Sequence, residues 1–153
     1  MSKEFLRSLC GSWRGICQTW FEPEIIADRA AVTGSIEPVM DGKFVRFVYR
    51  STIQGKPRQG EELIAFNSIN QQFEVSWIDD FHMSDAIMFS QGLAIDKGFE
   101  VSGLYEVGAG HPAWGWKTQY ELLDDGRLRL TAYNIMPDEP EAKALETILE
   151  RTS

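Results

Sequence analysis

This sequence predicts an all-β fold: a single antiparallel up-and-down β-barrel of about ten strands, with a short N-terminal helix closing one end. Three observations carry that expectation. From residue 11 onward the chain runs in short stretches of β-branched and aromatic residues with a period of two. Turn residues cut those stretches at regular intervals. Connections at alternate turns are short on one side and mostly longer on the other, which an up-and-down path sorts onto two ends.

The elements follow in order. "SKEFLRSL" at 2 to 9 puts Phe5, Leu6 and Leu9 at helical spacing behind Ser2 as a cap, so a short helix is expected there. Strands are expected at 11 to 20, 30 to 40, 43 to 53, 58 to 68, 72 to 79, 86 to 95, 98 to 106, 114 to 124, 127 to 136 and 143 to 152. Alternation is clearest in "FEVSWID", where Phe73, Val75 and Trp77 share one face, and in "WGWKTQYEL", where Trp114, Trp116, Thr118, Tyr120 and Leu122 do. The last segment, "PEAKALETILERTS", fits two structures. Ala142, Leu145, Ile148 and Leu149 would line a helix, whereas Leu145, Thr147, Leu149 and Arg151 would line a strand.

Asp41-Gly42, 69 to 71, 96 to 97 and 124 to 126 are tight connections, with Gly, Asn and Asp supplying the positive φ that hairpins need. The others, 21 to 29, 54 to 57, 80 to 85, 107 to 113 and 137 to 142, are mostly longer. One end is thus expected to be sewn shut and the other to form a mouth. A closed cylinder also leaves no exposed sheet edge and, at ten strands, has room inside for a small molecule.

Composition bounds the function. A chain of 153 residues, residues 1–153, suits one domain that buries about two thirds of its unfolded surface. With a net charge of −8, an isoelectric point near 4.8 and no Lys/Arg cluster, nucleic acid is not an expected partner. No window is apolar enough for a signal segment or a membrane span, so no membrane association is expected and the cytoplasm is the expected address. Cys10 and Cys17 on one strand would stand roughly 20 Å apart and face opposite sides, too far for a disulfide. A homodimer through apolar residues of an outer face stays open.

"LCGSWRG" places Gly11-x-Trp13 at the start of the first strand, with Arg151 on the last. These resemble the calycin superfamily of lipocalin-like and fatty-acid-binding-like barrels, in which a Gly-x-Trp packs near an Arg from the final strand. More narrowly, "GSWRG", "IEPVMDGKFVRFVYR", "AFNSINQQFEVSWID" and "MFSQG" look like an uncharacterised bacterial family of the DUF1579 type. The resemblance implies a strand for 143 to 152 and a structural role for Trp13 and Arg151, which would close the far end by stacking guanidinium on indole. It supplies no activity.

The candidate site is the interior. Phe47, Tyr49, Trp77, Phe89, Tyr105, Trp116 and Tyr120 are the expected inward aromatics, suited to a small apolar or amphipathic ligand or simply to filling a core. His82, in "WIDDFHMSD", and His111, in "GAGHPAWG", fall on connections at the expected mouth and complete the candidate ligand-binding set. The plainer reading of His82 is a solvated loop residue, with Asp79, Asp80 and Asp85 as turn formers. Three alternatives to a ligand binder remain: an enzyme using His82 with an aspartate as orienter, or Tyr49 or Tyr105, as general acid or base; a barrel that binds haem or a metal through a histidine, a metal needing Asp79, Asp80 or Asp85 as oxygen ligands; and a barrel with a filled interior that works through a protein partner. No nucleophile elbow, metalloprotease motif, phosphate loop or dinucleotide fingerprint is present, and no cofactor or metal is expected. Glu61 and Glu62 point to opposite faces of a strand and cannot act as a pair.

Overall fold

The computed structural model describes residues 2–152. In chain order the elements are α1 (Ser2–Ser8), β1 (Gly11–Glu22), β2 (Ile25–Val39), β3 (Phe44–Ile53), β4 (Lys56–Asn67), β5 (Gln72–Asp79), β6 (Met88–Ile95), β7 (Gly98–Tyr105), β8 (Trp114–Leu122), β9 (Leu128–Ile135) and β10 (Ala142–Arg151). Each strand pairs antiparallel with its sequence neighbours, and β1 also pairs with β10, so the ten strands form a closed barrel. The residues that end up inside are set by alternation. On β5 Phe73, Val75, Trp77 and Asp79 are buried, and on β4 Arg58, Gly60, Glu62 and Ile64 are.

One end is closed. Leu6 of α1 and Leu9 just after it cap it, and Phe5 stands edge-on to Phe99 at 6.1 Å. Trp13 is fully buried there, and its indole Nε1 donates to the Leu9 carbonyl at 2.8 Å. The Arg151 guanidinium lies 4.3 Å from the Trp13 ring centre and donates to the carbonyls of Cys10 (2.8 Å) and Ser8. Phe73, Phe99 and Tyr120 stack above at centroid spacings of 4.2 and 4.3 Å, giving the barrel an aromatic floor.

The final segment is a strand, because both of its edges find partners in β1 and β9. A register shift between Lys143 and Leu145 buries Ala144 as well as Leu145. The expected connection at 21 to 29 is corrected. Pro23 and Glu24 turn the chain alone, with Glu24 at a φ of 65°, and "IIADR" joins β2. The longer connections at the mouth are therefore 80–87, 106–113 and 136–141, and the loops of His82 and His111 share that end. Among the described residues both cysteines are free, and no helix is long and apolar enough to cross a membrane.

Candidate functional site

Above the aromatic floor lies a narrow cavity of about 50 Å³, which opens toward the mouth. Apolar walls come from Phe47, Val75, Trp116 and Leu145 among others, and Trp77 stacks on Trp116 at 5.3 Å. Polar groups enter from a few strands only, as in pockets where apolar area binds and polar tips orient.

The first polar group is built around Asp79, the last residue of β5 and 3% exposed. Its Oδ2 accepts from Tyr49 Oη at 2.5 Å and from Arg58 Nε at 3.0 Å. Trp77 Nε1 donates to the Tyr49 hydroxyl at 2.8 Å, and the Arg58 guanidinium lies 5.0 Å from the Tyr49 ring centre. Asp79 Oδ1 faces the mouth, where it accepts from the backbone N–H of Phe81 (2.9 Å) and His82 (2.8 Å) and meets His82 Nδ1 at 3.3 Å. One carboxylate thus ties the interior to the 80–87 connection. Burial raises the Asp79 pKa, but the His82 hydrogen bond and the Arg58 charge outweigh it and hold the carboxyl well below its usual range. Burial lowers the His82 pKa further than the Asp79 contact raises it, so the imidazole is neutral at pH 7. Gly60 makes the arrangement possible, since a Cβ there would sit 2.2 Å from the Tyr49 hydroxyl.

The second polar group is Glu62, 9% exposed, whose Oε1 accepts from Tyr120 Oη at 2.7 Å. Burial raises its pKa to about 7, against the lowering effect of the Tyr120 hydrogen bond. Burial also pushes the Tyr49 and Tyr120 hydroxyls well above their ordinary pKa, so both are neutral donors. Among the described residues no buried side-chain nitrogen or oxygen lacks a hydrogen-bond partner. Glu62 Oε2 and His82 Nε2 make no such bond, and each therefore touches open space: the first inside the barrel, the second at its rim.

Phe47, Tyr49, Trp77, Trp116 and Tyr120 line the cavity as expected from sequence. Phe89 does not. It is 54% exposed on the outer face, because Met88 and Ser90 take the inward positions of β6. Tyr105 is half-buried at the rim outside the lining, with its hydroxyl on Asn134 Oδ1 at 2.5 Å. His111 is exposed on its loop, away from the cavity. His82 also lies outside the cavity lining, but it is half-buried rather than the solvated residue of the plainer reading, its ring packing 5.8 Å from Trp77 and 5.7 Å from Trp116. Nor is Asp79 a mere turn former, whereas Asp80 and Asp85 are exposed. Arg58 and Glu62 are site residues that the sequence reading does not single out, although extending the alternation of β4 back from Ile64 places both inside, as that of β5 on from Trp77 does Asp79. No group of three or more His, Cys, Asp or Glu suited to a metal ion occurs among the described residues.

The crystal structure of Rv2717c from M. tuberculosis is similar to this chain, with a TM-score of 0.69, 14% sequence identity, and coverage of 99% of this chain and 98% of that one. At that identity the likeness concerns the fold alone. No curated protein matches. Residues 1–151 match the family described as "Protein of unknown function (DUF1579)". A match over nearly the whole length, on a closed ten-stranded barrel, places the chain in the DUF1579 family.

Proposed function

We propose that this barrel binds a small apolar or amphipathic molecule in its interior, as calycin-type barrels are built to do. The observation that carries this reading is the unfilled space between the aromatic floor and the mouth, walled by Trp77, Trp116 and Phe47 and supplied with oriented polar groups. Two free cysteines suit the reducing cytoplasm as its compartment. Native mass spectrometry of freshly purified protein tests the reading. A co-purifying small molecule is expected; a bare chain that also takes up no apolar probe would end it.

One observation favours a second reading, an acid/base enzyme. Asp79 orients the His82 ring through Nδ1 and leaves Nε2 open at the rim, the arrangement of a general base. A hydrolase and isomerase substrate panel tests it, with turnover expected in the wild type and lost in His82→Ala. Equal turnover in both would remove His82 from the chemistry. A hemin titration tests the same nitrogen as an iron ligand, through a Soret shift that His82→Ala abolishes.

A further inference from the structure

Inside the barrel two charges cancel and one does not. Arg58 and Asp79 neutralise each other at 3.0 Å. Glu62 has only the neutral Tyr120 hydroxyl on Oε1, and its Oε2 opens on the cavity without a partner. The groups that act electrostatically on Glu62 come from several strands: Tyr120 from β8, Asp79 from β5 and Arg58 from β4 itself, with Tyr49 of β3 in mutual range. Arg58 lies four residues nearer the mouth on the same strand, roughly 13 Å along it. Its guanidinium is held by Asp79 at 3.0 Å and forms no ion pair with Glu62, although its charge acts on that carboxyl.

The surroundings suit a positive charge. Trp77, Trp116 and Tyr120 line the cavity, and aromatic ring faces attract cations, most strongly where water is excluded; the Tyr49 ring already carries Arg58. The approach does too. The connections at the mouth carry Glu24, Asp80, Asp85, Glu106, Asp138, Glu139 and Glu141 with no Lys or Arg, and of these Glu141 is paired with Lys117. Those at the closed end are balanced, with Asp41, Asp96, Asp124 and Asp125 against Lys43, Lys97 and Arg127. A mouth of one sign draws the opposite charge in and turns its own away.

We propose that the ligand carries a cationic amine or ammonium group, seated against the aromatic walls with Glu62 Oε2 as its counter-ion; this rests on the interior being a ligand pocket. In the empty barrel a proton takes the cation's place, since burial lifts the carboxyl to a pKa of about 7. Binding a fixed cation then expels that proton. Affinity is lost by about tenfold for each pH unit below 7 and is level above it.

The test uses an isosteric pair, phenyltrimethylammonium and tert-butylbenzene, titrated into the full chain and read by tryptophan fluorescence. At pH 8 the ammonium is expected to bind at least tenfold more tightly, and Glu62→Gln is expected to abolish that preference while leaving tert-butylbenzene unchanged. The pH dependence of ammonium binding in the wild type is a second readout that needs no variant. Equal binding of the pair, or binding of tert-butylbenzene alone, overturns the charge assignment and leaves the ligand-holding interior standing. A preference that survives in a folded Glu62→Gln variant, or that is flat from pH 5 to 8, overturns Glu62 as the counter-ion. Binding of neither probe overturns the assignment, and native mass spectrometry then judges the container on its own.

Discussion

Glu62→Gln should change how stability depends on pH more than it changes stability itself. The folded-state pKa is raised from 4.5 to about 7, so the folded protein holds this proton more tightly than the unfolded chain does. The sign follows: the contribution is fully present below pH 4.5 and is lost as pH rises through 7. A rise of some 2.5 units, at about 1.4 kcal/mol each, gives about 3 kcal/mol lost between pH 4.5 and pH 8. Glutamine keeps an oxygen for the Tyr120 hydroxyl at 2.7 Å and cannot ionise. Urea unfolding of both proteins across that range should therefore show the variant gaining about 3 kcal/mol on the wild type by pH 8, or about 6–12 °C in Tm for a chain of this size. Taking the difference between the two proteins removes the titration of Asp79 and the surface carboxylates. Parallel stability profiles would refute the argument, because they would mean that water already solvates the Glu62 carboxylate in the folded state.

Other substitutions probe the remaining contacts. Asp79→Asn leaves the Arg58 guanidinium buried without its counter-charge and should cost about 3–5 kcal/mol in urea unfolding. Since the folded-state pKa of Asp79 is depressed, its stabilisation is present above the ordinary carboxylate pKa and fades in acid; the variant's profile should therefore converge on the wild type's as pH falls below 3.8. Gly60→Ala drives a methyl group into the Tyr49 hydroxyl and should cost about 1–3 kcal/mol, with Tyr49 displaced from Asp79 in a crystal structure of the variant. Arg151→Ala removes the stacking on Trp13 and two hydrogen bonds to carbonyls, and should lower stability by about 1–2 kcal/mol while leaving interior ligand binding intact.

Much of the architecture was legible in the sequence because a strand half exposed to water must alternate, and each turn needs particular residues. Alternation loses its meaning where no polar residue marks its phase. Ile87, Met88 and Phe89 are three apolar residues in a row, so the phase of β6 has no polar marker, and Phe89, expected inward, lies on the outer face. "EIIADR" after a proline resembles a loop in composition, yet it is strand, because β1 offers it a long edge to pair with. The interior network was harder to see. Arg58, Glu62 and Asp79 occupy inward positions, but charged residues are seldom buried unless paired. The pairing here joins Tyr49 to Asp79 and Glu62 to Tyr120, contacts 30 and 58 residues apart that no local pattern records. The histidines were the visible signal, and only His82 proved to be tied to the interior.

The β1–β10 seam bears on how the chain reaches this shape. All other strand pairings in the barrel join neighbours in sequence and can form as local hairpins in microseconds, whereas the seam matches Trp13 with Arg151 across almost the whole chain. Until that pairing is made, β1 and β10 each offer a bare edge that another molecule could extend. The stacked pair at the seam therefore acts as a clasp whose late fastening ends the interval in which this protein is most prone to aggregate. Its loss should be felt more in refolding yield at high concentration than in the finished barrel.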